Sequence, residues 1–280
     1  MSYADQLFKK NCIDILKNGT NTKGEDVRAH WEDGEPAYTI KQFGIVNEYD
    51  LRKEFPALTL RKIALKSAMD EILWIYQKKS NNINDLKTHI WDQWADDAGS
   101  IGTVYGYQIG EKFMFKGQEI DQIDYVLKQL KEEPFSRRII TNMYQFHNLA
   151  TGHLDPCAYS MTYNVTKENG QLVLNAILNQ RSQDMLAANG WNTAQYAILL
   201  MMLAQVNNMI PGKLIHIIAD CHIYDRHIPI IKELLTREEY KAPIVKLNPE
   251  IKNFYDFTTK DLIVEDYRYG EQITNIPIAI

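Results

Sequence analysis

Long apolar runs are scarce in this chain of 280 residues. The longest wholly apolar stretch runs from Tyr196 to Ala204, whereas a helix that spans a bilayer needs about 20 such residues. The opening segment, MSYADQLFKKNCIDILKNG, lacks both an uninterrupted apolar core and a small-residue cleavage site, so we do not expect a signal peptide or a membrane partner. The segment instead predicts an amphipathic helix, whose inward face would carry Leu7, Phe8, Cys12, Ile15 and Leu16.

Cysteine is equally rare. The chain has only Cys12, Cys157 and Cys221, which are widely spaced and odd in number. This pattern fits neither a disulfide framework nor a zinc site, so we expect a cytoplasmic, reducing location and no metal. Glycine-rich GxGxxG and Walker sequences are also missing, which excludes the usual dinucleotide and triphosphate cradles.

An excess of basic residues is lacking too, since the net charge is −5. This charge disfavours a general nucleic-acid-binding surface, and any anionic ligand must be held by a local cluster of arginines. No repeats, low-complexity tracts or linkers rich in Pro, Gly and Ser interrupt the chain, so we expect one domain over residues 1–280. Helical and strand patterns alternate without a regular βαβ rhythm, which favours an α+β fold with a mixed sheet packed against helices.

The segment HLDPCAYSMTYNV predicts a half-buried strand, because apolar and polar residues alternate along it. One face would carry Tyr159, Met161, Tyr163 and Val165. Pro156 cannot donate a ladder hydrogen bond, so it marks the beginning of the strand. Cys157 then lies at this N-terminal end of the strand. A thiol there can meet a substrate, although a small buried apolar side chain is the alternative.

The Asn169-Gly170 pair that follows is a strong hairpin signal. The returning strand, over residues 172–180, leads directly into Arg181, Ser182 and Asp184. The hairpin therefore brings Arg181 back towards Cys157, where an arginine would lower the pKa of the thiol. An unrelated surface arginine is the alternative.

The segment LTLRKIALKSAMDEILWIYQKKS places apolar residues at helical spacing, with Glu71 on the border of the apolar stripe. A solvated glutamate on a helix face is the common case. If Glu71 is buried, loss of hydration would raise its pKa and suit it to proton transfer near neutral pH.

Two further segments carry polar residues beside apolar runs. In GWNTAQYAILLMMLAQVNN, Asn192 or Thr193 would cap a buried helix, and Asn192 could instead bind a ligand. In KLIHIIADCHIYDRH, a strand would end at Asp220, with His222 and Tyr224 projecting to one side.

The segment EPFSRRIIT holds Arg137 and Arg138 just before a predicted strand. Paired arginines are commonly surface charge, but they also bind phosphate through bidentate hydrogen bonds.

Seven segments in this order and at this spacing closely resemble the thymidylate synthases, from about residue 12 to Ile280. They are DEILWIYQ, HIWDQWADDAGSIGTVYGYQ, QIDYVLKQLKEEPFSRRII, LDPCAYSMTYNV, QRSQDMLAANGWNTAQYA, DCHIYDRH and the terminal PIAI. The resemblance implies reductive methylation of dUMP to dTMP with 5,10-methylenetetrahydrofolate as co-substrate. It also implies a homodimer in which a sheet face forms the interface.

The resemblance assigns roles position by position. It implies Cys157 as nucleophile and Glu71 as proton-relay carboxylate, with Arg181, Asp184 and Tyr105 completing the catalytic group. The implied dUMP-binding residues are Arg28, Arg137, Arg138, Arg181, Ser182, Gln183, Asp184, Asn192, His222 and Tyr224, with Arg137 and Arg138 donated by the partner subunit. The implied folate-binding residues are Trp91, Trp94, Asp184 and Ala279, the last in a C-terminal tail that closes over the folate.

The chain departs from the commonest family pattern at several positions. Ala158 stands where many members have His, so no catalytic role transfers there, and Ala64 stands where many bacterial members carry a His that touches the folate. Ala188 and Gly190 replace the usual Gly and Pro before Asn192. The N-terminal phosphate loop reads DVRAHWEDGEPAYT, in which Arg28 is the best match.

Two other functions compete with this interpretation. A hydroxymethylase of the same fold would add water to the methylene intermediate. Relatives that act on dCMP carry Asp at the position of Asn192, so Asn192 favours dUMP as the substrate. A catalytically silent nucleotide- or RNA-binding protein would keep only the pocket. The presence of both Cys157 and Glu71 weighs against that alternative, as does the negative net charge.

Overall fold

A six-stranded mixed sheet with helices packed against it organises the chain. The computed structural model describes all 280 residues. The helices are α1 (Tyr3–Asn18), α2 (Leu65–Tyr76), α3 (Gly106–Gly110), α4 (Gln122–Glu132), α5 (Phe146–Leu149), α6 (Asn189–Val206) and α7 (Ile228–Thr236). The strands are β1 (Thr20–Asn21), β2 (Thr39–Asp50), β3 (Phe113–Phe115), β4 (Gln118–Ile120), β5 (Ile140–Asn142), β6 (Ala158–Glu168), β7 (Gln171–Asp184), β8 (Ile210–Tyr224), β9 (Ile244–Leu247) and β10 (Leu262–Glu265).

The order of the main sheet is β1-β2-β8-β7-β6-β5, and only β7 and β8 run parallel. Their register sets Ser182 opposite Asp220 and Asp184 opposite His222. A parallel pair requires a crossover connection, which α6 supplies here. The predicted α+β class with a mixed sheet is confirmed, and the parallel pair carries its polar residues to one end of the sheet.

The predicted hairpin joins β6 to β7. Asn169 and Gly170 both have positive φ, 49° and 83°, as a tight hairpin turn of the favoured hand requires. The two strands stay paired as far as the end opposite the turn. There the Arg181 N–H donates to the Cys157 carbonyl at 2.8 Å. The hairpin therefore brings Arg181 beside Cys157, as the sequence predicts.

The burial of β6 departs from simple alternation at its beginning. Met161, Tyr163 and Val165 are buried as predicted. Tyr159 is only half-buried and Ser160 is buried, because a register shift between Ala158 and Ser160 interrupts the pairing with β7. The prediction for Tyr159 is therefore wrong, since a bulge reorients side chains locally.

The predicted helices form, with some differences at their ends. In α1, Leu7, Phe8, Cys12 and Ile15 are buried and Leu16 is half-buried. None of the helices combines the length and the apolar content that a bilayer crossing requires.

Two predicted ends are wrong. Helix α6 is buried almost throughout but begins at Asn189 after Ala188, so neither Asn192 nor Thr193 is its N-cap. Strand β8 continues past Asp220 to Tyr224, because β2 pairs with it over its last residues, with Thr39 opposite Tyr224.

Candidate active site

A cavity of about 590 Å³ lies where β7 and β8 end, bounded by residues of α2 and α6. The structure brings most of the predicted site residues together in its wall: Arg28, Glu71, Trp91, Trp94, Tyr105, Cys157, Arg181, Ser182, Asp184, Asn192, His222, Tyr224 and Ala279. Residues separated by more than 200 positions in sequence thus meet in one cleft.

Three predicted residues do not line this cavity. The Gln183 side chain is buried, where it donates to Gln180 and accepts from Asn189 at 3.0 Å, so its predicted contact with dUMP is not made by a side chain that faces the cavity. Arg137 and Arg138 are exposed. Arg138 borders a separate cleft of about 620 Å³.

Cys157 sits just before β6, held from two sides. Its backbone N–H donates to the Tyr105 hydroxyl at 3.1 Å, and the Arg181 guanidinium lies 3.7 Å from its sulfur. The same guanidinium donates to the carbonyls of Pro156 at 3.0 Å and Asp155 at 2.6 Å. These contacts fix the arginine beside the thiol and leave its remaining N–H groups for an anion.

Burial raises the pKa of the Cys157 thiol, and the positive charge of Arg181 opposes that shift without overcoming it. The prediction that Arg181 leaves this thiol with a lowered pKa is therefore wrong for the chain by itself. Loss of hydration destabilises a thiolate more than one neighbouring cation at this distance stabilises it.

Tyr105 has φ of 50°, in the left-handed region that residues with a side chain rarely adopt. Its ring packs edge-on against Trp91 with centroids 4.8 Å apart, and Trp91 in turn contacts Trp94 at 5.5 Å. A strained residue persists only where its surroundings hold it. The aromatic cluster therefore fixes the hydroxyl that meets Cys157.

Glu71 is buried, with 5% of its surface exposed. Trp91 Nε1 donates to one carboxylate oxygen at 3.0 Å, and Trp191 Nε1 donates to the other at 2.6 Å. Burial raises the pKa of Glu71, and the two indole hydrogen bonds oppose the shift only in part. The conditional prediction of a buried glutamate with a raised pKa is confirmed.

A chain of buried amides sets the orientation of Asn192. His216 is fully buried, and burial lowers its pKa to about 3, so its ring is neutral at pH 7 and carries one N–H. Its Nε2 lies 2.8 Å from Gln180 Oε1. Gln180 Nε2 then donates to Asn192 Oδ1 at 3.1 Å, and Asn192 Nδ2 donates to Gln195 Oε1 at 3.0 Å. One lone pair and one N–H of Asn192 remain free for a ligand.

Asp184 lies near His227, with their closest polar atoms 3.4 Å apart, and accepts the Leu186 N–H at 2.8 Å. Burial alone would raise the pKa of Asp184, but the neighbouring His227, together with His222 and the Leu186 N–H, outweighs burial and holds that pKa below its usual value. The other ring nitrogen of His227 lies 2.7 Å from the Pro277 carbonyl. His227 therefore links Asp184 to the C-terminal tail.

The tail lies along the cavity wall, where Ile278, Ala279 and Ile280 contribute to the lining. Ile280 and His30 exchange two backbone hydrogen bonds of 2.9 Å each. His30 is two residues from Arg28, so the tail and the N-terminal loop close the same side of the cavity.

His222 and Tyr224 stand together at the end of β8, with ring centroids 4.9 Å apart. His222 Nδ1 lies 2.8 Å from the Asp220 carboxylate, which fixes the imidazole. Both residues line the cavity.

One departure from the family pattern has a packing reason. A side chain at Gly190 would approach Leu58 within 2.7 Å and Ile63 within 2.9 Å. Glycine thus lets the first turn of α6 lie against the segment before α2. Ala64 stands immediately before α2, and Ala158 and Ala188 line the cavity or its edge without a polar contact from their side chains.

Sequence reasoning missed Trp191, Gln180, Gln195, His216 and His227. Gln180 and His216 each lie on the buried face of a strand, at a position where the alternating pattern calls for an apolar residue. A polar residue at such a position needs a hydrogen-bond partner, and this could have identified both residues from the sequence. Trp191 adjoins Asn192, but nothing in its spacing points to Glu71, which lies 120 positions away.

Comparison with known proteins agrees with this geometry. The thymidylate synthase family profile matches residues 6–280. Thymidylate synthase 1 of Bacillus subtilis strain 168 is 41% identical over 278 residues, and the thymidylate synthase of Bacillus licheniformis is 42% identical over 279, each match covering 98% of both chains. The solved thermostable thymidylate synthase A from Bacillus subtilis superposes with a TM-score of 0.92 at 39% identity, covering both chains fully. The chain therefore belongs to the thymidylate synthase family.

Proposed function

We propose that this chain methylates dUMP to dTMP reductively, with 5,10-methylenetetrahydrofolate as the donor of both the carbon and the hydride. The observation that carries this proposal is the convergence of the Cys157 thiol, the Arg181 guanidinium and the oriented Asn192 amide on one cavity. A nucleophile, an anion-binding group and a base-reading amide are what a covalent attack on a nucleotide ring requires.

The phosphate of dUMP would bind Arg181 and Ser182, with Arg28 at the rim. Arg181 is held by two backbone carbonyls and so stays in place to form charge-assisted hydrogen bonds. His222 and Tyr224 would bind the deoxyribose hydroxyl, because they stand side by side on β8 one strand away from Ser182.

The orientation of Asn192 supports uracil as the base. Its free N–H can donate to O4 of uracil while its carbonyl oxygen accepts the ring N3–H. Cytosine has an amino donor where uracil has O4, and an unprotonated ring nitrogen where uracil has N3–H. The amino group of cytosine would therefore face the N–H donor of Asn192. Because Gln180 and Gln195 hold the amide on both sides, it cannot rotate without breaking those bonds.

The residues divide the chemical work between them. Cys157 would add to carbon 6 of uracil as thiolate, which makes carbon 5 nucleophilic. Glu71, buried and with a raised pKa, would relay protons at the base. Trp91, Trp94 and the tail at Ala279 offer apolar walls for the flat rings of the folate and exclude water during hydride transfer. The folate itself supplies the one-carbon unit and the electrons.

We also propose a homodimer that pairs the outer faces of the sheet. Neighbouring strands carry partly exposed Ile177, Ile215 and Ile217 on that face, and Val46 beside them is 60% exposed. Apolar patches of this kind mark interaction surfaces. Arg137 and Arg138 lie outside the cavity of their own chain, which supports their donation to the partner's phosphate site.

Two coarser expectations have similar support. One hydrophobic core includes residues from Ala4 to Leu262, which supports a single domain. All three cysteines are free, which supports a reducing cytoplasmic location.

The decisive test is a spectrophotometric assay with dUMP and methylenetetrahydrofolate. Formation of dihydrofolate supports the proposal, release of tetrahydrofolate alone indicates a hydroxymethylase, and no turnover indicates a binding protein. With 5-fluoro-dUMP in place of dUMP, we expect a covalent adduct on Cys157, because fluorine cannot leave as a proton does. An adduct on Cys12 or Cys221 would contradict the assignment, and Cys157→Ala should form none.

The exchange of arginines is tested by mixing two inactive variants, Cys157→Ala and Arg138→Glu, after reversible dissociation. In each heterodimer one site inherits both changes, while the other combines an intact Cys157 with an intact borrowed Arg138. Random pairing makes about half of the dimers mixed, so about a quarter of wild-type activity should return. Zero activity with heterodimers verified by mass would refute the shared site.

A further inference from the structure

Trp191 forms the shortest hydrogen bond that Glu71 makes in this structure, at 2.6 Å between indole Nε1 and the carboxylate oxygen. The residue lies in the first turn of α6, directly before Asn192, and it lines the cavity. Trp91 binds the opposite oxygen at 3.0 Å from a different segment of the chain. The carboxylate is therefore clamped between two indole donors that belong to separate elements.

We propose that Trp191 is a positioning residue for the methylation reaction, whose indole N–H holds the Glu71 carboxylate in the orientation that serves proton transfer at the bound base. The proposal rests on the proposed function, because Glu71 has a role to be positioned for only if the chain methylates dUMP. Trp191 itself transfers no proton, since an indole N–H donates only.

The backbone gives Trp191 this position through its two neighbours. At Gly190, in the first turn of α6, an added Cβ would come within 2.7 Å of the tip of the Leu58 side chain and 2.9 Å of the tip of Ile63. Asn192, on the other side, is held by Gln180 and Gln195. One turn of helix thus carries both the amide that reads the base and the indole that holds Glu71, so the two groups keep a fixed relation.

Other titratable groups also face Glu71. Asp70 on its own helix raises the pKa of Glu71 by like charge, while Tyr105 and Tyr196 approach from other elements as neutral hydroxyls. Cys157, Arg181, His89 and Asp92 line the same cavity. None of these groups supplies the hydrogen bond that Trp191 gives to the carboxylate oxygen.

Removing this donor has a defined consequence. In Trp191→Phe an aromatic ring and part of the packing remain, but one oxygen of a buried carboxylate loses its N–H partner. The ionised form then becomes less stable, so the pKa of Glu71 should rise further, because a hydrogen bond to a charged group is worth more than one between neutral groups. We expect kcat at neutral pH to fall by about tenfold or more, with little change in the KM for dUMP.

Trp74→Phe is the matched control. Trp74 is a buried indole on the same helix as Glu71 and packs 5.8 Å from Trp91, but its Nε1 donates to the Asn82 carbonyl at 2.9 Å. The substitution removes an indole donor from the same aromatic cluster without touching the carboxylate. Its effect on stability can resemble that of Trp191→Phe, whereas its effect on the titration of Glu71 should not.

The titration of Glu71 is followed by infrared difference spectroscopy of its carboxyl stretch, with Glu71→Gln as the blank, beside the pH profile of kcat. An upward shift in Trp191→Phe that is absent in Trp74→Phe supports the proposal. Superimposable titrations of wild type and Trp191→Phe would overturn it, as would equal shifts in both variants, since equal shifts reflect packing alone. Failure of the proposed function is distinct, because wild type would then form no dTMP while the titration could still be measured.

Discussion

Glu71 and Asp184 are two carboxylates in the wall of one cavity, and their pKa values move in opposite directions. Burial pushes both upwards. Glu71 meets neutral donors, the indoles of Trp91 and Trp191, and its pKa stays raised. Asp184 meets His227, which can carry a positive charge, and its pKa ends below the usual value. The charge of the neighbour, more than the depth of burial, decides the outcome.

The opposite pKa shifts suit the two carboxyl groups to different roles within one cavity. A carboxyl group with a raised pKa can take up and release a proton near neutral pH, as a relay must. A carboxylate with a lowered pKa stays ionised and only accepts hydrogen bonds, as a fixed ligand anchor must. Asp184 therefore suits contact with the donor-rich ring of a folate, and Glu71 suits the base.

The largest effect should come from replacing Glu71, the member of the pair with the raised pKa. Glu71→Gln keeps the shape of the side chain but cannot relay a proton, so we expect kcat to fall by about 10²–10⁴-fold. Binding of dUMP, measured by calorimetry, should change little. A variant with nearly normal kcat would show that Asp184 or water performs the relay.

Adding another carboxylate to the cavity sharpens the comparison. Asn192→Asp replaces the oriented amide with a group that can match the cytosine edge, so activity on dCMP should rise relative to dUMP. The loss of a matched buried hydrogen bond should cost turnover of dUMP about 1–3 kcal/mol in kcat/KM. An unchanged dCMP/dUMP ratio would indicate that another group reads the base.

The smallest effect concerns stability against pH. A raised pKa in the folded state means that the contribution of Glu71 to stability is present at low pH and declines as pH rises through the raised pKa. A lowered pKa means that the contribution of Asp184 is present above its usual pKa and declines as pH falls through the lowered value. A tenfold difference in proton affinity between the folded and unfolded states corresponds to about 1.4 kcal/mol of stability.

Urea unfolding between about pH 2 and about pH 8 measures both contributions, because that of Asp184 declines only below its usual pKa. Glu71→Gln should reduce the decline towards high pH, and Asp184→Asn should reduce the decline towards low pH. If both variants change the pH dependence in the same direction, the two carboxylates do not have oppositely shifted pKa values.

Local patterns predicted much of the fold. The Asn169-Gly170 turn predicted the β6–β7 hairpin and its register. The helical spacing of apolar residues over 65–76 predicted α2 and the burial of its apolar face. The convergence of Cys157 and Arg181 followed from that hairpin alone. These features depend on neighbours in sequence, which is why the sequence exposes them.

What could not be predicted depends on distant partners. No capping residue marks the beginning of α6 at Asn189, and Gly190 packs there against Leu58 and Ile63, which are distant in sequence. The raised pKa of Cys157 depends on how completely the assembled cavity removes water from the thiol, so the nearby arginine misled the prediction. The hydrogen bond from Trp191 to Glu71 likewise forms only after α2 and α6 pack together.

The order of strands in the main sheet also bears on how the chain is made. Strand β2 ends at Asp50, yet its long pairing partner β8 begins only at Ile210, about 160 residues later. At a synthesis rate of about 5–20 residues per second, β2 would wait roughly ten to thirty seconds without that partner. Its backbone edge and its outward Phe43 and Val46 are the kind of surface that promotes association between nascent chains. We therefore expect the newly made N-terminal third of this chain to depend on chaperones more than the finished enzyme does.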